Sequence, residues 1–504
     1  MDPILRCVPP QSVLTGWDFS TGACKALAFD LQGNVLAEAR FATDLWTAGG
    51  VSELNLLLLE GQARATTRAL AARLREIGRL NDWAAGGISA THHTAGRIDI
   101  DGNPIRRAIC WNDPTLASYH AIGLERLGGQ ERVRSLIGGP WASRYTLSHL
   151  VKDEQTLPRT AWEATWRILP HASLAAGYLT GNFDAISVSS AASTGLMDLR
   201  SCQWQPAMLE ALASEDYRNR VLKALPPILA QEVPMGPLSE ALCDEWGIRS
   251  APLIFPPSDD QAAGLIGGGA VDEGHVAIIL GNSAVVNSSS YQMPQSGSLD
   301  VMRLNWGPYL WMRCYNNGAQ FLDGILGDKP DWAALEQAGQ AVPPGCNGAR
   351  VRPFLHPEPS LGVAEPCLAW TPHEPSELGV RYRAALEALA YLIARAVREH
   401  EQAGQTITRL TVSGGIAQSN LMLEILASVL NRTLDRLQSS EGPALGAAVT
   451  ALAALENSRR LERNLPGTYP LEAAVRQLVR FQDAVPPRAD WVAVYQQALN
   501  NLSY

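Results

Sequence analysis

A strand–turn–strand unit occurs twice in this chain and constrains its fold more than any other feature. The first unit has an apolar stretch ending at Trp17, the turn Asp18-Phe19-Ser20-Thr21-Gly22 and apolar residues 26–29; the second has apolar residues 275–280, Gly281-Asn282-Ser283-Ala284 and Val285-Val286. Backbone N–H groups in such turns can face a phosphate, and a leading aspartate can face a metal ion. Either turn alone is more often an ordinary hairpin. Two of them predict a nucleotide held between two lobes.

The length of the chain predicts two large domains. At 504 residues it exceeds the size at which a single hydrophobic core stops growing. Prolines interrupt an apolar run at 251–257, which is typical of a boundary. We therefore expect an N-terminal lobe of residues 1–255 and a C-terminal lobe of residues 256–504.

The order of predicted elements indicates an α/β fold. In the first half, strands at 13–17, 26–30 and 34–40 precede a helix at 56–80 and a strand at 85–90, so a plain dinucleotide-binding alternation fits poorly. The second half alternates clearly: helix 380–402, strand 406–412, a Gly414-Gly415 turn, helix 421–430, strand 433–437 and a small-residue helix from 442. From residue 471 onward we expect polar helix without chemistry.

Composition excludes several classes of partner. The net charge is −9 and no Lys/Arg-rich block occurs, which argues against nucleic acid. The eight cysteines are scattered without a Cys-x-x-Cys pair, so we expect reduced thiols. No apolar stretch approaches the ~18 residues of a membrane-spanning helix. We expect a cytoplasmic protein without membrane contact, and the sequence is compatible with a homodimer.

A third segment between the two turns supplies a candidate catalytic base. Transfer of a γ-phosphoryl group to an alcohol requires cradled phosphates, Mg²⁺ and a base for the acceptor hydroxyl. Asp260 precedes the small-residue helix start Gln261-Ala262-Ala263-Gly264, where an anion is favoured. Asp260 could instead be only a helix N-cap, and Asp259 could equally cap, leaving either aspartate the other role.

The ordered motifs of the chain resemble those of the FGGY carbohydrate kinases, with the nearest likeness to the xylulokinases. The resemblance extends from about residue 13 to residue 455. It is carried by Asp18-Phe19-Ser20-Thr21 with Lys25, His92-His93 with Trp111-Asn112-Asp113, Ala191 to Asp198, Asp260 to Gly264, Ser413-Gly414-Gly415 with Asn420, and Gly442 to Ala448.

The resemblance implies two actin-like, ribonuclease-H-like lobes with ATP and a sugar in the cleft between them. The N-terminal lobe would bind the sugar and carry the first phosphate loop, and the C-terminal lobe would carry the base and bind ATP. By position it implies Asp18 for Mg²⁺; Ser20, Thr21, Lys25, Gly281, Asn282 and Ser283 for the phosphates; Gly414, Gly415 and Asn420 for adenosine; His92, His93 and Gln261 for the sugar; and Asp260 as base. For Lys25, an ordinary surface ion pair is an equally weighted alternative.

Departures from the family pattern leave the acceptor open. Asp259 replaces a glycine beside the base, His92 stands where methionine is common, and Asn282 replaces a usual threonine. The first hypothesis is phosphorylation of D-xylulose to D-xylulose 5-phosphate. The second is another pentulose or polyol, such as ribulose, a tetritol or glycerol. The third is an actin-like nucleotide-binding switch without a sugar substrate.

Overall fold

The computed structural model describes residues 6–43, 45–48, 51–295, 299–327 and 330–500. The chain forms two compact units, each built from separated segments. The first unit contains residues 1–267, 301–309 and 443–478, and the second contains 268–300, 310–442 and 479–504.

This division differs from the predicted boundary between residues 255 and 256. Asp260, expected in the C-terminal lobe, lies in the first unit because strand Ser258–Asp259 pairs in parallel with strand Trp83–Ala90 of that unit. The helix after Gly442 also belongs almost entirely to the first unit.

A mixed sheet forms the centre of the first unit. Strand Val13–Phe19 is parallel to Trp83–Ala90 on one side and antiparallel to Ala23–Phe29 on the other, and Val35–Ala42 follows outside. Nearly every residue of the two central strands is buried, which explains why most of their residues are apolar or glycine. The helix Leu56–Glu76 is capped by Asn55, whose side chain accepts the N–H of Leu57.

Glycines allow the helix Gly442–Glu462 to approach this sheet closely. A Cβ atom on Gly16 would lie 1.7 Å from the carbonyl oxygen of Ala444, and one on Gly446 would lie 1.9 Å from that of Ala263. Only residues without a side chain fit there. The helix therefore packs directly against both the central strand and the helix that begins at Asp260.

The second unit contains its own sheet. From Tyr309–Tyr315 onward, six neighbouring strands of this sheet run in the order Tyr309–Tyr315, Ala284–Ser290, His275–Leu280, Arg409–Ser413, Leu434–Leu437 and Phe481–Val485. His275–Leu280 and Arg409–Ser413 are parallel, so the turns after them lie at the same edge of the sheet. The long helix Leu378–Gln402 contributes much of the core that covers this sheet.

The predicted C-terminal helix is interrupted by a strand. Residues from 471 onward form the helix Leu471–Leu478, the strand Phe481–Val485, antiparallel to Leu434–Leu437, and the helix Ala489–Asn500. The expectation of polar helix from residue 471 onward is therefore wrong for Phe481–Val485, because this strand is short and mostly exposed and its residues show no strand-like alternation.

The two units contain further strands and helices. Further strands are Leu45–Ala48, Val51–Leu54, Ala95–Ile98, Ala108–Ile109, Arg167–Pro170, Ile186–Ser187, Met197–Asp198, Gln203–Trp204, Ile228–Leu229, Gly236–Pro237, Leu253–Ile254, Asp300–Arg303, Arg350–Phe354 and Cys367–Thr371. Further helices are Leu116–Arg126, Gln130–Ile137, Thr146–Thr156, Arg159–Ala164, His171–Thr180, Val188–Ala192, Glu215–Ala224, Glu240–Trp246, Asp260–Gly267, Ala319–Leu326, Trp332–Gln340 and Asn420–Leu430. In the part of the chain described, no helix combines the length and apolarity needed to cross a membrane.

Candidate active site

Asp18 lies near the end of the central strand of the first unit. Its side chain is buried, and Oδ1 accepts a hydrogen bond from the Ser89 hydroxyl at 3.0 Å. Asp18 pairs in register with Ser89 on one side and with Lys25 on the other. Directly opposed residues share a face of a sheet, so Ser89 and Lys25 flank Asp18.

The turn after Asp18 is closed by the side chain of one of its own residues, Ser20. The Ser20 hydroxyl donates to the Ala23 carbonyl at 2.9 Å and accepts the Ala23 N–H at 3.2 Å. This hydroxyl holds the turn. Thr21 is half-buried and Gly22 is exposed at its tip.

His92 and His93 follow strand Trp83–Ala90. The ring of His93 stacks on His92 at 3.8 Å and on Tyr145 at 4.3 Å between centroids. His93 Nδ1 lies 3.0 Å from the Ser193 carbonyl, which can only accept, so Nδ1 donates. Burial, with smaller contributions from His92 and Arg144, holds the pKa of His93 well below its usual range, so its ring is neutral.

The backbone of His93 is constrained as well. Its φ of 60° lies in the left-handed region, which side-chain-bearing residues rarely adopt. Such conformations persist where the surroundings hold them, and they concentrate at functional sites.

The structure resolves which aspartate caps the helix Asp260–Gly267. Asp259 Oδ1 accepts the N–H groups of Gln261 at 3.0 Å and Ala262 at 2.9 Å, so Asp259 is the cap. Asp260 Oδ1 is buried and has no hydrogen-bond partner among the described residues. Burial first, then the negative charges of Asp259 and Asp18, raise the pKa of Asp260 well above its ordinary value. The predicted metal ligand Asp18 and the predicted base Asp260 are thus brought into one electrostatic cluster.

The donor set of this cluster fits a hard divalent cation. Asp18 and Asp260 are carboxylates whose negative charges repel each other, and a positive charge would relieve this repulsion. Carboxylate oxygens are the protein ligands that Mg²⁺ prefers.

The other predicted nucleotide residues lie together in the second unit. The turn Gly281-Asn282-Ser283 follows strand His275–Leu280, and Gly414-Gly415 follows the parallel neighbour Arg409–Ser413. Gly414 has a φ of 99°, and a Cβ atom there would lie 2.3 Å from the Leu280 carbonyl oxygen. The two turns are therefore in backbone contact. Asn420 is exposed at the first residue of the helix Asn420–Leu430.

Sequence reasoning missed the side chains that hold these residues in place. In the second unit, Glu336 accepts the Leu421 N–H at 2.7 Å and the Ser419 hydroxyl at 2.8 Å, which fixes the start of the helix that bears Asn420. In the first unit, the site residues predicted from the sequence did not include Ser89, Ser189 and Asn305. Single serines and asparagines outside a motif give no signal, so only the folded backbone identifies them.

Family comparison decides the class of the protein. Residues 13–267 match the N-terminal domain of the FGGY family of carbohydrate kinases, and residues 316–455 match its C-terminal domain. The chain belongs to this FGGY family. It is therefore a sugar kinase, a phosphotransferase that uses ATP as co-substrate.

Relatives of this FGGY kinase match over nearly its full length. It is 28% identical over 514 residues to a xylulose kinase of Escherichia coli K12, covering 96% of this chain and 99% of the relative. Its fold is similar to a ligand-bound xylulose kinase of Lactobacillus acidophilus, with a TM-score of 0.83, 17% identity, and 97% and 96% of the two chains covered. A gluconate kinase of Lactobacillus acidophilus is similar with a TM-score of 0.82, 18% identity, and 97% and 96% covered. The predicted two-domain actin-like ATPase fold is confirmed.

Proposed function

We propose that this kinase transfers the γ-phosphoryl group of ATP to D-xylulose and forms D-xylulose 5-phosphate. The Escherichia coli xylulose kinase supports this acceptor because it aligns over almost all of both chains.

The observation that carries the mechanism is the buried Asp260 oxygen without a hydrogen-bond partner among the described residues. In the proposed reaction Asp260 removes the proton of the acceptor hydroxyl. The hydroxyl oxygen forms a bond to the γ-phosphorus, the bond from that phosphorus to the bridging oxygen breaks, and ADP leaves. A raised pKa suits this role because it makes the Asp260 carboxylate a stronger acceptor of the hydroxyl proton.

Asp18 is the proposed holder of Mg²⁺. When bound, the ion would neutralise phosphate oxygens during transfer. We assign Thr21 and Lys25, with the turn formed by Ser20, to phosphate contacts. Gly281, Asn282 and Ser283 are assigned likewise to the phosphates, and Gly414, Gly415 and Asn420 to adenosine.

His93 is the proposed sugar contact with the strongest structural support. Because Nδ1 donates to Ser193 and the ring is neutral, Nε2 is an acceptor. Nε2 is buried, and within the described residues nothing hydrogen-bonds to it. A hydroxyl of the acceptor sugar would satisfy it. His92 and Gln261 complete the proposed sugar-binding set.

The second candidate function is phosphorylation of another acceptor. The gluconate kinase structure has a TM-score close to that of the xylulose kinase, so this fold accommodates different acceptors. Ribulose, tetritols and glycerol therefore stay alternatives. The family match favours a kinase over the nucleotide-binding switch without sugar. The cytoplasmic location and the homodimer stay predictions of the sequence.

A coupled assay of ADP formation tests the proposal. D-xylulose should give the highest kcat/KM in a panel with D-ribulose, erythritol, glycerol and gluconate; a higher value for any other would transfer the assignment to that acceptor. Asp260→Asn should lower kcat by roughly 10²- to 10⁴-fold, as expected for loss of a general base. Asp101→Asn, which removes an exposed carboxylate from the same unit, is the control and should retain full activity.

A further inference from the structure

The carboxylate of Asp259 is held on both of its oxygens. Oδ1 accepts the two N–H groups at the helix start, and Oδ2 accepts the Ser189 hydroxyl at 2.5 Å. The Asp259 N–H donates back to the Ser189 hydroxyl at 3.2 Å. Backbone and side chain of Asp259 are therefore fixed by the same serine.

Asn305 holds this serine and the approach to Asp259 together. Its Oδ1 accepts the Ser189 N–H at 2.8 Å, and its Nδ2 donates to the Pro257 carbonyl at 3.0 Å. One amide side chain thus joins the helix Val188–Ala192 to the segment that leads into Asp259. We call Asp259, Ser189 and Asn305 the Asp259 clamp; all three belong to the first unit.

The clamp adjoins two residues of the proposed site, the base Asp260 and the proposed sugar contact His92. Asp260 is the next residue in the chain, and its backbone direction follows from the strand pairing and helix cap at Asp259. The Nδ1 atom of His92 lies 3.5 Å from Asp259 Oδ1. Displacement of Asp259 would therefore move both Asp260 and the ring of His92, a proposed sugar contact.

A second interpretation of the same residues is a metal site. His92, Asp259 and Asp260 offer ligand atoms that all lie within 4.8 Å of one another. However, both Asp259 oxygens already accept hydrogen bonds, and a cation beside Oδ1 would face the N–H groups of Gln261 and Ala262. The arrangement fits a fixed support better than a cation ligand.

We propose that Asp259 is a positioning residue for phosphoryl transfer, and that Ser189 and Asn305 hold it so that the Asp260 carboxylate points at the acceptor hydroxyl. This inference rests on the proposed function, in which Asp260 is the base. The clamp acts through Asp260 and does not contact the reacting atoms.

Ser189→Ala and Asn305→Ala test the clamp in two backgrounds. In the native background each should lower kcat about 10-fold or more with little change in the KM for ATP, since small displacements of a catalytic group cost up to about 10²-fold. In the Asp260→Asn background, measured with radiolabelled ATP, the same changes should alter the residual rate less than about 2-fold, because the group they position is gone. Asp259→Asn, which keeps an oxygen for the cap and a donor for Ser189, should retain more activity than Asp259→Ala.

Ser190→Ala is the matched control. Its hydroxyl is buried beside Ser189 and has no hydrogen-bond partner among the described residues, so its loss should leave kcat unchanged. Thermal unfolding confirms that each variant is folded at the assay temperature. Equal fold-losses in both backgrounds, or native kcat in both Ser189→Ala and Asn305→Ala, would overturn the positioning role. Full activity of Asp260→Asn alone would instead refute the base assignment.

Discussion

The carboxyl group of Asp260 is placed where its ionised form is unfavourable. Its pKa is raised because burial, Asp259 and Asp18 all oppose a further negative charge. The folded protein therefore binds the proton at pH values where the unfolded chain has released it. Stability consequently falls as pH rises from the ordinary value of 3.8 through the raised pKa.

Asp260→Asn should therefore stabilise the protein at neutral pH while it removes activity. Asparagine is neutral at every pH, so the electrostatic cost disappears; each tenfold change in proton affinity corresponds to about 1.4 kcal/mol. The advantage should shrink as pH is lowered, because the native carboxyl is then protonated. Urea unfolding in metal-free buffer across this pH range measures it. An advantage that is independent of pH would contradict the electrostatic cause.

At the scale of elements, close approach of backbones fixes how the helix Gly442–Glu462 packs. Gly16 lies in a buried strand with the Ala444 carbonyl against it, whereas Gly61 lies on an exposed turn of the helix Leu56–Glu76 with nothing near its Cβ position. The same substitution should therefore have opposite effects at these two positions.

Gly16→Ala should destabilise the protein by about 1–3 kcal/mol or more, because the strand or the helix must move to admit the methyl group. Gly61→Ala should stabilise it by about 0.5–1 kcal/mol through the higher helix propensity of alanine. Denaturant midpoints of the two variants provide the comparison. A neutral Gly16→Ala would show that the helix is free to shift away from the sheet.

The periodicity of apolar residues was sufficient to predict the strands and helices that form the core. It was not sufficient to predict which polar side chains contact one another. The helix at Leu378–Gln402 and the three N-terminal strands could be predicted, since their apolar spacing reflects burial. The choice between Asp259 and Asp260 as the cap could not, because it depends on which carboxylate the backbone turns toward the helix start. Asn305 could not be found either, since its partners Ser189 and Pro257 lie 116 and 48 positions away.

At the scale of the whole molecule, the first unit depends on residues far apart in sequence. The Glu456 carboxylate accepts the N–H groups of Cys7 at 2.7 Å and Val8 at 3.1 Å, which adds to the contact of Ala444 with Gly16. Segment 443–478 is thus part of the core that begins near residue 7.

A fragment of residues 1–267 should not fold to a stable unit, because its central sheet would lack the covering helix. We expect no cooperative transition in circular dichroism and little protection of strand Val13–Phe19 from hydrogen exchange. Fusion of residues 443–478 through a flexible linker should restore protection. Cooperative unfolding of the unfused fragment would show that the helix is dispensable.

Each unit is built from separated segments of the chain, and Ala444, which contacts Gly16, lies after the segments of the second unit that begin at residue 268. A single recombination crossover after residue 267 would therefore replace Ala444 together with the second unit. The recombinant protein would combine strand Val13–Phe19 of one parent with the helix Gly442–Glu462 of the other, and these two would not have evolved to fit each other. We therefore expect acceptor specificity to change by point substitutions, while Gly16 and Gly446, at which the helix Gly442–Glu462 makes its close contacts, are retained.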